Sequence, residues 1–295
     1  MSEPTLPRKR YDQQGRDMRW PEPPEPLPVA VYDNHTHMDF EDGLEVLEPI
    51  ESLDRAATVG VKGVIQVGTD LPSSQWGVEL AHRDERVLAA VAIHPNTAPE
   101  VAAGGQLEED LEALSVLAAD PRVAAVGETG LDYFRTGENG RAAQTASFEA
   151  HIAIAKHRRI AMQIHDRDAH DDVVATLRRV GAPEHTVFHC FSGGPELAKI
   201  CNDNGWMMSF AGTVTFKNAP ELREALRVAD PELILVETDA PFLTPVPLRG
   251  RPNAPYIMPH TVRFMAEQRG VELAEFCEQL NRNTERTYGS WTDRG

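Results

Sequence analysis

From Leu27 onward, short runs of β-branched and apolar residues alternate with longer stretches in which apolar positions recur at helical spacing. The short runs predict eight strands: Val29 to Asn34, Gly63 to Val67, Val87 to Ile93, Val123 to Gly127, Ile160 to Ile164, Thr186 to Phe188, Trp206 to Phe210 and Leu233 to Val236. Helical stretches fall between them, among them Ser73 to His82, Leu107 to Ala119, Gln144 to Arg158, Asp168 to Val180, Pro195 to Asn204 and Ala219 to Val228. Strand-then-helix units repeated in this way over about 265 residues predict an α/β fold, a (β/α)8 TIM barrel, for which ~250 residues is typical. Residues 28–295 are therefore read as one domain. In the helix from Gln144, the residues Phe148, Ile152 and Ala155 share a face that should pack on the barrel, and Lys156, Arg158 and Arg159 suit the negative end of the helix dipole.

Residues 1–27 break this pattern. They contain the cluster Pro21-Glu22-Pro23-Pro24-Glu25-Pro26 and few apolar residues, so they are read as a disordered arm that buries too little surface to offset its chain entropy. The alternative is a strap lying on the domain, anchored by Tyr11 or Trp20.

Charge narrows the chemistry. With 46 acidic against 29 basic residues the formal net charge is −17, which disfavours capture of nucleic acid through a broad basic surface, and phosphate chemistry would have to recruit its own cations. The three cysteines, Cys190, Cys201 and Cys277, form no C-x-x-C pair and make neither a disulfide framework nor a zinc knuckle. No apolar run of about 18 residues is present to span a bilayer. The polar start also lacks the apolar core of a secretory signal, so the expected location is the cytoplasm, with no membrane partner.

In a parallel barrel the active site lies at the C-terminal ends of the strands, which makes the residues after each apolar run informative. The first run ends Asp33-Asn34-His35-Thr36-His37-Met38-Asp39. Two histidines at i and i+2 of an extended chain project to one side, where they can share a metal ion or simply hydrogen-bond in a polar loop. The third run leads into His94, and the fourth into Gly127-Glu128-Thr129-Gly130, an acid between glycines that permit close backbone approach. That acid reads either as a bridge between two metals or as a loop cap. The fifth ends in His165, followed by Asp166 and Arg167; the sixth ends in His189; the eighth leads into Glu237-Thr238-Asp239-Ala240-Pro241. If the sixth strand persists, Cys190 points to the opposite face from His189 and packs rather than ligates. Of the 11 histidines, His35, His37, His94, His165 and His189 fall at strand ends, whereas His82, His151 and His157 lie in helical stretches where solvent exposure accounts for them. Five histidines and two acids gathered at one end of a barrel predict a metal centre. Nitrogen and oxygen donors without thiolate suit zinc, manganese, iron, nickel or cobalt, with magnesium where carboxylate and water dominate.

These motifs carry a family resemblance. Together with Ile93-His94-Pro95, Gly127 to Tyr133, Ile164 to Ala169, Phe188 to Gly193, Ser209 to Phe216, Glu237 to Pro245, Arg249 to Asn253 and Asn283-Thr284, the run from Asp33 to Asp39 resembles the TatD family of metal-dependent deoxyribonucleases, within the amidohydrolase-type hydrolases. The likeness spans residue 31 to the end of the chain. It implies two divalent metal ions, zinc, manganese or magnesium, one held by His35, His37, Glu128 and Asp239 and the other by Glu128, His165 and His189. Glu128 would bridge them, Asp239 would also take a proton from the attacking water, and His94 and Arg167 would face substrate phosphate. Such cations would turn the pocket of an acidic protein locally electropositive.

The implied activity is a deoxyribonuclease, a 3′ to 5′ exonuclease on single-stranded DNA ends with RNA left open, acting as a monomer without an obligate protein partner. Hydrolysis of an amide, a lactone or an aminoacyl-tRNA ester by the same metals, or a metal-bearing scaffold, are the alternatives. The chain departs from the family pattern at Asn96, where histidine is common and which can donate a hydrogen bond but carry no charge, and at Thr129, where isoleucine is common. The arm has no family counterpart.

Overall fold

The computed structural model describes residues 6–9, 15–292 and 294. Eight parallel strands follow one another around a sheet in chain order: β1 Val31–Thr36, β2 Val61–Val67, β3 Val87–Val91, β4 Val123–Asp132, β5 Ala161–Arg167, β6 Thr186–Phe188, β7 Met207–Phe210 and β8 Ile234–Val236. A parallel bridge between Thr36 and Ala240, with the Asp239 amide donating to the His35 carbonyl at 2.9 Å, joins the two ends into a barrel. Around it lie α1 Pro49–Thr58, α2 Leu71–Arg83, α3 Ala98–Ala103, α4 Leu107–Leu117, α5 Glu138–Arg158, α6 His170–Val180, α7 Pro195–Asn204, α8 Pro220–Val228, α9 Pro259–Arg269 and α10 Leu273–Tyr288. The TIM barrel expected from the alternating pattern is the fold found. No helix among the described residues is long and apolar enough to cross a membrane.

Strand alternation explains the two sides of the sheet. Val87, Ala89 and Val91 of β3 pack outward with Val78, Leu80 and Leu114 from the helices, whereas Leu88 and Ala90 turn inward to join Ile65, Val67, Ala161, Val187 and Leu235. The predicted stripe of α5 is buried as expected, with Phe148, Ile152 and Ala155 all at or below 1% exposure.

β4 is longer than its apolar run suggested. It continues past Gly127 to Asp132 because it stays paired with β5 through Gly130 opposite His165 and Asp132 opposite Arg167, after a register shift between Val126 and Thr129. Glycine is required there: a Cβ on Gly130 would collide with the His165 carbonyl oxygen, and one on Gly127 would lie 2.6 Å from the Gln163 Cβ. The close approach brings Glu128 and His165 together.

The described part of the arm corrects the expectation of disorder for residues 15–27. Trp20 packs on the core and donates from its indole nitrogen to the Glu45 carbonyl at 2.9 Å; Leu27 is itself a core residue. Tyr256 donates to the Pro21 carbonyl at 2.8 Å, Arg251 to the Trp20 carbonyl at 3.0 Å, and Arg263 to the carbonyls of Glu25 and Pro26. A proline-rich extended backbone has little conformational freedom to lose and presents unpaired carbonyls, so donors on the barrel can hold it without much apolar burial. At residues 8 and 9 the arm pairs in parallel with Phe40–Glu41, and Arg8 forms an ion pair with buried Asp39. The strap alternative thus holds through Trp20, while Tyr11 lies outside the described residues.

Candidate metal centre

His37, His94, Glu128, His165, Arg167, His189 and Asp239 line one pocket of about 550 Å³ at the C-terminal mouth of the barrel, and His35 lies fully buried against it. All eight residues singled out in the sequence therefore meet in one place. They arrive from six strands and the segments that follow them, which explains why no stretch of sequence holds the whole set.

The first group is Nε2 of His35, Nε2 of His37, Oε2 of Glu128 and Oδ1 of Asp239. The two nitrogens are 3.2 Å apart, both lie 3.6 Å from Oε2 of Glu128, and Asp239 stands 3.8 Å from His35 and 3.5 Å from His37. Four ligands about 2.1 Å from a tetrahedral ion are spaced about 3.4 Å from one another, so the spacing fits one cation. The second group gathers on the other oxygen of Glu128, Oε1, which is 2.6 Å from Nδ1 of His165, 2.9 Å from Nε2 of His189 and 3.2 Å from Nε2 of His94. One buried carboxylate thus presents each of its oxygens to a different set of histidines.

Hydrogen bonds behind the rings decide which nitrogens can donate electrons. Gln163 spends its amide N–H groups on the Asn34 carbonyl and the Tyr288 hydroxyl, so its Oε1 accepts from Nδ1 of His35 at 2.9 Å. The Val67 carbonyl accepts from Nδ1 of His37 at 3.0 Å, Glu237 from Nδ1 of His189 at 3.1 Å, and Asp132 from Nε2 of His165 at 3.1 Å. In all four rings the proton is committed to the outer nitrogen and the inner one faces the carboxylates. His94 is different. Its Nδ1 accepts from the Asn96 backbone amide at 3.0 Å, which leaves the proton on Nε2, facing Glu128. His94 is therefore arranged as a hydrogen-bond donor to an anionic oxygen, although its distance alone would also suit a ligand.

The field of the pocket is negative. Burial opposes charging of His37, yet its hydrogen bonds to Asp239 and Glu128 prevail and raise it to about 10. Burial likewise opposes charge on His189 and His165, and the neighbouring carboxylates still raise both. For Glu128, burial would raise the carboxyl, but His189, His94 and His165 hold it well below the ordinary range. Histidines that take up protons in such a field are sites from which a divalent cation displaces protons on binding.

Several supporting residues were not visible as such in the sequence. Gln163, an inward polar residue in an apolar strand, was the one signal available for its role. Glu237 was part of a motif, but its partners, His189 and the Cys190 amide, lie about 47 residues away along the chain. Asn96 lines the pocket without a charge, and its side chain donates to Asp132 at 2.9 Å and so steadies the carboxylate that orients His165. Cys190 corrects the expected packing role: β6 ends at Phe188, Cys190 takes a left-handed φ of 41°, and its side chain lines the pocket.

His151 is a second correction. The sequence placed it among exposed helical histidines, but it is fully buried, accepting from the Ile93 amide at 3.1 Å and donating to the Ser147 carbonyl at 2.7 Å, so it pins the strand end that carries His94. Burial pushes its pKa down from 6.5 to about 4 against the pull of Ser147. Between those values an unfolded chain takes up a proton that the folded one refuses, so this contribution to stability is complete above pH 6.5 and declines as the pH falls towards 4. Urea unfolding at pH 7 and pH 5 should show His151→Gln losing about 2 kcal/mol less than the parent between the two. Equal losses would show that His151 is protonated without penalty.

Residues 32–289 match the family described as TatD related DNase. A Mycobacterium tuberculosis protein named as an uncharacterized metal-dependent hydrolase TatD is 42% identical over 264 residues, covering 88% of this chain and 98% of its own. A Klebsiella pneumoniae relative, named as the 3′-5′ ssDNA/RNA exonuclease TatD, is 33% identical over 249 residues, covering 81% of this chain and 91% of its own. The crystal structure of YjjV, a TatD homologue from Escherichia coli, shares the fold with a TM-score of 0.76 at 27% identity, over 88% of this chain and 98% of that one. The matched residues run from the strand that carries His35 to the end of α10, so the complete donor set falls inside the shared region, and the chain belongs to the TatD family of metal-dependent hydrolases.

Proposed function

We propose that this hydrolase is a two-metal phosphodiesterase of nucleic acid, a 3′ to 5′ exonuclease on single-stranded DNA ends. The observation that carries the reading is the divided carboxylate: Oε2 of Glu128 faces His35 and His37, and Oε1 faces His165 and His189. His35, His37, Glu128 and Asp239 would hold one cation and Glu128, His165 and His189 the other. Cations so held would supply the Lewis acidity and the lowered water pKa that attack on an anionic phosphodiester needs. Asp239 accepts the proton of the attacking water, and Nε2–H of His94 and the guanidinium of Arg167, both on the pocket wall, bind phosphate oxygens. The activity in the Klebsiella relative's name is consistent with this assignment.

The test is cleavage of a single-stranded oligonucleotide by chelator-stripped protein, with magnesium, manganese, zinc or nothing added back, beside a His35→Ala/His37→Ala double variant. Label at the 5′ end should reveal a ladder of products shortened stepwise from the 3′ end, dependent on added metal and absent in the double variant. An intact oligonucleotide under every metal, with metal bound, would overturn the nuclease reading in favour of ester or amide hydrolysis.

A further inference from the structure

At the pocket rim, the loop after β4 carries Phe134, an aromatic ring that is 63% exposed. The guanidinium of Arg167 lies 3.9 Å from the ring centroid, covering one face. Arg167 and Arg135 both line the pocket, both are exposed, and among the described residues neither has a carboxylate partner within salt-bridge distance. The loop is held from both sides. The Tyr133 amide donates to the Arg167 carbonyl at 2.9 Å, the Arg135 amide to Oδ1 of Asp132 at 2.8 Å, and the guanidinium of Arg141 stacks on Tyr133 at 3.8 Å. Asp132, which anchors the loop, is also the carboxylate that orients His165. Phe134 therefore stands two residues, at most about 7 Å of backbone, from a residue of the metal centre.

A single exposed phenylalanine on a surface needs no explanation. This one sits between two hydrogen-bonded neighbours, is backed by a cation and stands next to Arg135 and Arg167, which both line the pocket. We infer that Phe134 is a stacking platform for an unpaired nucleobase of the substrate, with Arg167 behind the ring and Arg135 beside it to bind the adjoining phosphates. The inference rests on the nucleic-acid reading above and adds a recognition element to it. Stacking on an aromatic face tolerates any base but requires one that is not paired, and the guanidinium behind the ring strengthens the platform. The site would thus select single strands by geometry instead of by sequence.

The test compares the metal-loaded parent, Phe134→Ala and Phe134→Trp on a short single-stranded oligonucleotide and on the same oligonucleotide with abasic sites at its last three positions. Phe134→Ala should raise KM about tenfold on the normal strand and leave KM on the abasic strand close to the parent's value. Phe134→Trp should keep the parent's KM, and its added fluorescence should be quenched by the normal strand and not by the abasic one. Because the side chain is exposed, thermal melting of both variants should match the parent. Equal KM for parent and Phe134→Ala on the normal strand, or the same loss on both strands, would overturn the platform and leave the nuclease reading standing. A parent that neither binds nor cleaves either strand would overturn both.

Discussion

Glu128→Gln should leave the barrel folded and lower hydrolysis by about 10³-fold or more, with one divalent ion retained per chain in place of two. The amide has the shape of the carboxylate, but one of its two ends becomes an N–H donor. It can therefore face the His35 and His37 side or the His165 and His189 side as an acceptor, and not both. It also removes the negative charge that now draws protons onto His189 and His165. Steady-state rates, metal content by mass spectrometry and melting followed by circular dichroism separate these effects. Two tightly held ions in the variant, or an unchanged rate, would show that Glu128 does not bridge.

Asp239→Asn should lower the rate by about 10² to 10⁴-fold, the range for loss of a group that moves a proton in the transition state. Asp239 follows β8 in a left-handed conformation, φ 50°, and its amide is tied to the His35 carbonyl, so the carboxylate is turned back into the barrel mouth. Burial works against its charged form, yet the hydrogen bond from His37 and the charges of His35 and His189 hold its pKa below the ordinary value. It is therefore a carboxylate at neutral pH. Asparagine keeps an oxygen at the same place and takes no proton. Rate and metal content should be measured on the same preparation: a lost rate with metal retained identifies the proton acceptor, and joint loss identifies a ligand. An unchanged rate with unchanged metal content would show that Asp239 neither holds a metal nor takes the proton.

How much of this was legible without coordinates depends on the residue. His35, His37, His165 and His189 could be picked out because each follows an apolar run, and the end of a strand in a parallel barrel is a defined place. Glu128 was legible as a strand-end acid between glycines, although the strand continues beyond it. His151 was misread because one helix stripe gives no measure of what covers it; the covering backbone at Ile93 lies 58 residues away along the chain. The arm was misread for a related reason. Its composition counted apolar residues, whereas its order comes from carbonyls taken by Tyr256, Arg251 and Arg263, all more than 200 residues distant.

The sequence by itself determined the alternation of strands and helices, the barrel that follows from it, and the nitrogen and oxygen donors at the strand ends. These are properties of local periodicity and of position within a repeating unit, which a linear pattern carries in full. Only the tertiary structure decided the state of those donors. It fixed which ring nitrogen of each histidine is engaged behind the ring and which faces the carboxylates, turned Nε2 of His94 towards Glu128 as a donor, divided the oxygens of Glu128 between two groups, and set Glu237 behind His189. Tautomer and proton affinity depend on the hydrogen-bond partner and the surrounding charge, and in this barrel those partners come from other strands, contacts that exist only once the sheet has closed.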